Sequence, residues 1–333
     1  MTTSISKICT VLLCIVTLGL PMRAARAPEA ISHPSNPEIA KELDAGKYVE
    51  ASQILKKVLA KNPKDVEANY WMARCSLEMG DYERALTFAG QAVSLAPDWS
   101  ESHLWLGRSY GLKAEKTRSL FAARKARQEF QTAVQLDPNN LEARRNLMEF
   151  YLDAPWFLGG SKDKALEQVE AIASRNPVEG YLARADYWKG LDRPDLAAQN
   201  CRQVLKLKPQ SAGPYFQAAD FFESEGNAED LEAVVRAVSL IEPGDLRLAY
   251  YRGVERVLEG RELPEASRDF EEYLSRAPKR DDFPPHASAH DWLGRIYEHW
   301  GQVQQAIQQY KIALNLSPDN QRARNGLHRL ESN

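Results

Sequence analysis

Two histidines near the C-terminus are the first side chains to consider for chemistry. His286 and His290 are four residues apart, and Asp291 follows the second. This separation places both imidazoles on one face of a helix, which is a common spacing of zinc ligands. No cysteine and no further acid stands close by to complete a ligand set. The sequence therefore predicts no metal site.

Signatures of catalysis and of cofactor binding are equally incomplete. Residues 159–162 read Gly-Gly-Ser-Lys, but the Gly-x4-Gly-Lys-Ser/Thr spacing of a phosphate-binding loop is missing. The chain also contains no G-x-S-x-G, no H-E-x-x-H and no glycine-rich dinucleotide loop. We therefore predict no catalytic residue, no cofactor and no enzymatic activity.

The elements that would position any binding residues are set out by regularly spaced prolines. Their intervals are 34, 41, 39, 32, 34, 35 and 40 residues. The eight positions are Pro63, Pro97, Pro138, Pro177, Pro209, Pro243, Pro278 and Pro318. Twelve residues before each proline stands an alanine, with Leu231 as the one departure. Proline ends a helix, and alanine lets two helices approach closely, so the pattern predicts about eight helix–turn–helix repeats.

Two units carry the fullest pattern, Val66–Trp99 and Ala287–Asn320. The second unit contains Leu293, Gly294, Tyr297, Gly301, Ala306, Tyr310, Ala313 and Pro318. This pattern resembles the tetratricopeptide repeat family, whose unit of about 34 residues is a pair of helices. The resemblance implies an all-α solenoid, a right-handed superhelix of stacked repeats over residues 28–333. The polar segment 321–331 is expected to form a C-terminal capping helix.

Three places break the period. The interval before Pro138 predicts longer helices whose basic residues form either a surface for an acidic partner or a solvated face. In the fourth repeat, residues 154–161 replace a short turn, and their apolar side chains either pack onto the repeat edge or face a partner. Residues 279–285, with two prolines, are expected to act either as a hinge or as a rigid entry into the next helix.

The N-terminus has the features of a secretory signal. Lys7 precedes an apolar run from Ile8 to Leu20, and Ala25-Arg26-Ala27 offers small residues for cleavage. We assign residues 1–27 to a signal peptide and expect a periplasmic or secreted protein. The alternative is an uncleaved N-terminal anchor, because Pro28 would follow the cut. No other segment is a candidate membrane span.

Charge and cysteine content narrow the classes of partner. Without residues 1–27 the chain has 40 basic and 46 acidic residues, which gives no reason to expect a nucleic acid. Cys75 and Cys201 remain, in repeats far apart. We predict that both are unpaired and buried.

The family resemblance also implies a concave groove lined by the first helix of each repeat. Carried onto this chain, the groove positions predict a partner-binding set of Tyr70, Trp71, Arg74, Trp105, Arg108, Arg145, Asn146, Trp292 and Arg295. The family's two-carboxylate clamp for acidic C-termini is absent, because its positions hold Tyr70, Arg74, Trp105, Glu142 and Asn146. Trp and Arg three residues apart share a helix face. They form either a binding surface or a groove floor covered by arginine.

These observations predict a non-catalytic scaffold or assembly factor that binds a protein or peptide in the groove. The alternative is an accessory subunit that presents substrate to an envelope enzyme complex. The residues do not name the partner.

Overall fold

The computed structural model describes residues 34–331. The predicted signal peptide, residues 1–27, lies outside the described residues. Within residues 34–331 the chain forms seventeen α-helices and one short 3-10 helix, without a β-strand. No helix in this range combines the length and the apolar character that crossing a bilayer requires. The predicted all-α solenoid is confirmed.

The N-terminal half contains ten helices in chain order. They are α1 Pro37–Asp44, α2 Tyr48–Lys61, α3 Val66–Glu78, α4 Tyr82–Leu95, α5 Ser100–Thr117, α6 Leu120–Leu136, α7 Leu141–Asp153, α8 Lys162–Ala173, α9 Pro177–Gly190 and α10 Pro194–Leu207. The C-terminal half contains the other seven. They are α11 Gly213–Ser224, α12 Ala228–Ile241, α13 Arg247–Glu259, α14 Leu263–Arg276, α15 His286–His299, α16 Val303–Leu316 and α17 Gln321–Glu331.

Packing follows the order of the chain. Within residues 34–331, backbone packing joins helices one or two places apart in the chain, and more distant helices meet through single side-chain contacts such as that of Trp292 with Glu223. Sixteen helices form eight successive pairs, and α17 packs on α15 and α16. This arrangement buries apolar surface only through stacking of neighbouring units. The largest buried apolar clusters divide the chain near Ala185, one on either side.

Small residues lie where the paired helices cross. All eight side chains that precede the prolines by twelve residues are buried, including Leu231. Gly294 shows the tightest form of this contact, since a Cβ there would lie 2.5 Å from the ring of Tyr310. Real Cβ atoms do not approach so closely, so the aromatic ring of the second helix needs a glycine opposite it.

Helix ends are set by short polar caps and by proline. Side-chain oxygens that accept backbone N–H bonds cap nine helices, from Asn36, Asp65, Asp81, Ser119, Asn140, Ser161, Asn176, Asn227 and Asn320. Seven of the eight repeat prolines stand two residues beyond the end of a helix. Pro177 differs, because it is the first residue of α9 after the cap Asn176. Proline fits there, since the first helical N–H needs no partner.

The third and fourth repeats depart from the regular unit. Helices α5 and α6 have 18 and 17 residues, against 11 to 14 in the helices after them. The segment after α7 forms the 3-10 helix Trp156–Leu158, and Ser161 caps α8. Leu158 is buried, whereas the Trp156 side chain is 85% exposed. The apolar loop therefore packs one side chain inward and leaves the indole in solvent.

Candidate functional site

The first part of the groove is built on three aromatic side chains of α3 and α5. Trp71 and Trp105 are each 4% exposed, and Tyr70 is 2% exposed. The Tyr70 ring lies edge-on to both indoles, with centroids 5.0 Å and 6.2 Å away. These aromatic residues therefore form the floor of the groove, and their faces are already covered.

Arg74 covers that floor. Its guanidinium carbon lies 4.6 Å from the Trp71 ring centroid and 4.4 Å from that of Trp105. Its Nη1 donates a hydrogen bond of 3.3 Å to the Tyr70 hydroxyl. A guanidinium stacks well on indole faces and keeps its edge donors available for a carboxylate. Among residues 34–331, no carboxylate forms an ion pair with Arg74.

The neighbouring groove arginines are already paired. Arg108 stacks on Trp105 at 4.5 Å, bonds to Asn146 at 3.0 Å and forms an ion pair with Glu142 at 2.7 Å. Arg145 forms ion pairs with Glu179, at 2.9 Å, and with Asp186. Acids of the following helices thus satisfy these two cations. The structure brings Tyr70, Trp71, Arg74, Trp105, Arg108 and Asn146 together. Arg145 lies next to Asn146 on α7, but it pairs with acids of α9.

Acidic side chains share the same groove. Burial raises the pKa of Glu78 to about 7, and Asp281 adds to the increase, while Arg74 and Arg108 oppose it. Glu78 remains accessible to water inside the groove. The pKa of Glu101 is also raised, first by burial and then by Glu142. The carboxyl group of Glu78 is therefore able to gain or lose a proton near neutral pH.

Two adjoining cavities follow this wall. One of about 850 Å³ is lined by Trp105, Arg108, Asn146 and the loop residue Leu158, among others. A smaller one of about 340 Å³ lies between Tyr48, Trp71, Arg74 and residues 280–282. Glu78 and Asp281 line both cavities. Acidic side chains outnumber basic ones on these walls. Arg108 is the basic residue of the larger cavity, and Arg74 and Arg280 are those of the smaller one. Of these three, Arg108 and Arg280 are paired with acids of the chain, whereas Arg74 forms no ion pair within the described residues.

The C-terminal pair, Trp292 and Arg295, lies in a different setting. Trp292 is 1% exposed and its Nε1 donates to Glu223 at 3.0 Å. Arg295 stacks on the indole at 4.1 Å. Arg322 of α17 also approaches, 5.3 Å from the indole and 3.3 Å from Glu223. The structure therefore places this pair under the terminal helix, away from Arg74.

Sequence reasoning missed several groove acids. Asp291 is fully buried, and burial raises its pKa to about 6 although Arg322 and Arg295 oppose the shift. Asp220 accepts a hydrogen bond from Tyr251, and burial likewise raises its pKa to about 6. For Asp291 and Asp220, the signal available in the sequence was an acidic residue on the otherwise apolar face of the first helix of a repeat. No sequence signal predicted that Asp281 lies in this groove, because it follows the seventh repeat, whereas the predicted groove residues beside it belong to the second, third and fourth.

A third cavity, of about 890 Å³, lies between the C-terminal repeats. Phe216 and Tyr251 stack at 5.1 Å on its wall, and Arg247 covers Phe216 at 4.4 Å. An ion pair of 2.6 Å between Arg247 and Asp245 fixes the guanidinium. This cation is therefore also occupied within the chain.

The histidine pair is engaged in ordinary hydrogen bonds. His286 Nε2 lies 3.1 Å from the Ala277 carbonyl oxygen, and His290 Nδ1 lies 2.7 Å from Gln309 Oε1. No group of three His, Cys, Asp or Glu residues within 34–331 is arranged to hold a metal ion. Cys75 and Cys201 are both free and buried, and burial raises the pKa of each thiol to about 12.

Comparison with known proteins agrees with this architecture. Models of the tetratricopeptide repeat match residues 42–106 and residues 251–321. No curated protein matches the chain. Among solved structures, a monomeric mutant of IFIT1 with Gppp-AAAA is 15% identical, with a TM-score of 0.53 over 89% of this chain and 70% of that one.

Two bacterial proteins show the same likeness at lower scores. A tetratricopeptide repeat protein of Parabacteroides merdae is 17% identical, with a TM-score of 0.49 over 84% of this chain and 100% of that one. The protein TTC0263 of Thermus thermophilus is 21% identical, with a TM-score of 0.47 over 56% of this chain and 96% of that one. The matches near both ends of the chain, together with the successive helix pairs described above, support a tetratricopeptide repeat protein.

Proposed function

We propose that this protein is a non-catalytic scaffold that binds an acidic protein segment in the groove of its first three repeats. The tetratricopeptide fold in general suggests interaction with proteins. The observation that carries the finer proposal is the guanidinium of Arg74. Its guanidinium carbon lies within 4.6 Å of the centroids of two indoles, it lines the smaller groove cavity, and it forms no ion pair within the described residues.

The surroundings of Arg74 support a carboxylate as its ligand. The stacking fixes the guanidinium plane before any ligand arrives, which lowers the conformational cost of binding. A planar fork of N–H donors matches a carboxylate in a bidentate manner. Arg108 and Asn146, which are bonded to each other, line the adjoining larger cavity, into which a bound chain could continue past Arg74.

Export of the protein is part of the same proposal and rests on the residues of its N-terminus alone. The charged start, the apolar run and the small residues before Pro28 support a periplasmic or secreted location. Fractionation of cells that produce the tagged full-length chain tests this location. A tagged protein found only in the cytosol would contradict it.

Comparison of captured partners tests the binding proposal. The tagged wild-type protein, Arg74→Ala and Arg236→Ala are each used for capture from native extract, with quantitative mass spectrometry. Arg236 is an exposed arginine whose i,i+4 ion pair with Glu232 lies outside the groove, so its variant is a matched control. We expect a set of proteins that Arg74→Ala loses and Arg236→Ala retains. An identical set from all three samples would contradict binding at Arg74.

A further inference from the structure

Residues 279–283, Lys-Arg-Asp-Asp-Phe, cross from the seventh repeat to the first. The backbone of Lys279 lies on Gly46, where an added Cβ would be 2.5 Å from the Lys279 carbonyl oxygen. Arg280 Nη1 donates a hydrogen bond of 3.2 Å to the carbonyl oxygen of Asp44. Because helices pack only against near neighbours in the chain, this contact is a separate bridge across the superhelix. We call residues 279–283 the latch.

The latch also makes contacts within itself and with Arg247 of the seventh repeat. Arg280 makes two hydrogen bonds to the carboxylate of Asp282, of 2.7 Å and 2.6 Å. Arg247 donates to the Asp282 carbonyl oxygen at 3.3 Å and lies 5.3 Å from the Phe283 ring. These contacts hold the segment in one shape, so the place of each latch side chain is set by the seventh repeat.

Asp281 is the latch residue that enters the proposed binding groove. It lines the small cavity with Trp71 and Arg74 and the larger one with Trp105 and Arg108. Its carboxylate acts on Glu78 strongly enough to contribute to the raised pKa of that side chain. An acidic residue of this chain therefore stands over the groove in which the acidic residue of a partner is proposed to bind.

We propose that the latch is a tethered competitor of the partner, which closes the groove above Arg74 and must be displaced for an acidic peptide to enter. This inference rests on the proposed function and adds its regulation. A segment on the same chain acts at a high effective concentration, so even weak contacts compete well with a free peptide. The partner that would replace the latch is an extended peptide with adjacent acidic residues, like Asp281 and Asp282 of the latch.

A peptide copy of the latch tests the competition directly. Fluorescein-labelled peptide with the sequence of residues 276–286 is titrated into the full chain, and binding is followed by fluorescence anisotropy. The variant Arg280→Ala removes the bonds to Asp44 and to Asp282 and frees the latch. We expect this variant to bind the peptide about tenfold more tightly than wild type, because the fraction of open groove rises. Arg236→Ala, which removes an exposed arginine outside the groove and the latch, is the matched control and should bind the peptide as wild type does.

Two further measurements make the outcome decisive. The double variant Arg74→Ala with Arg280→Ala should lose the gain in affinity, because the latch is open but the anchor is gone. A peptide in which the residue corresponding to Asp281 is Asn should bind less tightly to Arg280→Ala. Circular dichroism of each variant checks that the helices are retained.

Each result separates the two proposals. Equal peptide affinity of wild type and Arg280→Ala would overturn the latch, whether that affinity is high or undetectable. The binding proposal would still stand if partner capture depends on Arg74. Loss of the Arg74 dependence in the capture experiment, together with a tenfold effect of Arg280→Ala, would instead overturn the partner site and leave the latch as a closure of the fold.

Discussion

The two ends of the groove use the same pair of residue types in opposite ways. Trp71 with Arg74 and Trp292 with Arg295 have the same spacing, and each arginine stacks on its indole. At the C-terminal end the Trp292 N–H is hydrogen-bonded to Glu223. At the N-terminal end the buried N–H groups of Trp71 and Trp105 have no acceptor among the described residues.

Glu223 accounts for much of this difference. Its Oε1 accepts from Tyr250 at 2.8 Å, from Trp292 at 3.0 Å and from Arg322 at 3.3 Å. These partners come from three other helices, α13, α15 and α17. The donors of Tyr250 and Trp292 are thus satisfied within the chain, and we interpret them as structural. The buried Asp291 beside them has Arg322 as an ion-pair partner at 3.4 Å, but its carboxylate oxygens accept no hydrogen bond from the described residues. Neither Arg74 nor Arg295 forms an ion pair within residues 34–331, but Arg74 lines an open cavity, which is why the N-terminal end is the better candidate for binding.

Removal of Glu223 should produce the largest loss of stability. Glu223→Ala leaves buried donors on Tyr250 and Trp292 without their acceptor, and we expect a loss of about 3 kcal/mol in the free energy of unfolding. Urea denaturation measures it. Glu225→Ala, two residues further and exposed, is the matched control and should cost less than about 0.5 kcal/mol. Equal losses in both variants would remove the distinction between the two ends.

Arg74→Ala and Arg295→Ala sharpen the same comparison through binding. Arg74→Ala should weaken capture of groove partners by about tenfold, the effect of losing one charge-assisted bond of about 1.4 kcal/mol. Its cost in stability should be about 1 kcal/mol or less, since a stacked arginine at a partly exposed site contributes little. Arg295→Ala should leave capture unchanged. A stronger effect of Arg295→Ala on capture would place the binding site at the other end.

The free energy of unfolding should decrease as the pH rises. A different carboxyl group should cause the decrease at each end of the groove. Burial raises the pKa of Glu78 to about 7 and that of Asp291 to about 6. A carboxyl group with a raised pKa favours the folded state fully below its unfolded pKa and loses this contribution as the pH rises through its folded pKa. Urea midpoints between pH 5 and pH 8 should therefore decline in wild type.

Two amide variants separate these contributions. Glu78→Gln should reduce the decline between pH 6 and pH 8, and Asp291→Asn the decline below pH 7. The same slope in Glu78→Gln and wild type above pH 6 would show that Glu78 does not titrate in that range. If Asp281 contributes as described, Asp281→Asn should shift the Glu78 step to lower pH.

Thiol labelling should show the smallest effect, and it reports separately on the unfolding of the N-terminal and C-terminal apolar clusters. Cys75 lies in the N-terminal apolar cluster and Cys201 in the C-terminal one. Burial raises both thiol pKa values to about 12, so we expect neither to react with iodoacetamide until its region opens. Peptide mapping of labelled protein at increasing urea concentration measures both rates. Rapid labelling of Cys75 or Cys201 in native protein would contradict the burial described here.

The sequence predicted the repeat architecture because its signals are local. Proline two residues past a helix and alanine at the crossing act within one repeat, so their spacing shows where helices end and where they touch. Pro177 is the exception that spacing could not reveal, since proline is equally suited to the first turn of the next helix. The pattern left two alternatives for Trp71 and Trp105, a binding surface or a groove floor covered by arginine. The structure shows a covered floor, because arginines and aromatic rings of adjacent repeats pack on them. The position of Asp281 depends on curvature accumulated over seven repeats, which no local pattern contains.

The bridge between Arg280 and Asp44 joins residues 236 positions apart, and this separation has a consequence for how the chain folds. Nearly all other contacts close loops of a few tens of residues, so the repeats can form rapidly and in any order along the chain. Closing a long loop costs entropy that grows with the logarithm of its length, about 0.6 kcal/mol for each doubling. We therefore expect the helices to form first and the bridge last, so that during synthesis the open superhelix exists before the closed one.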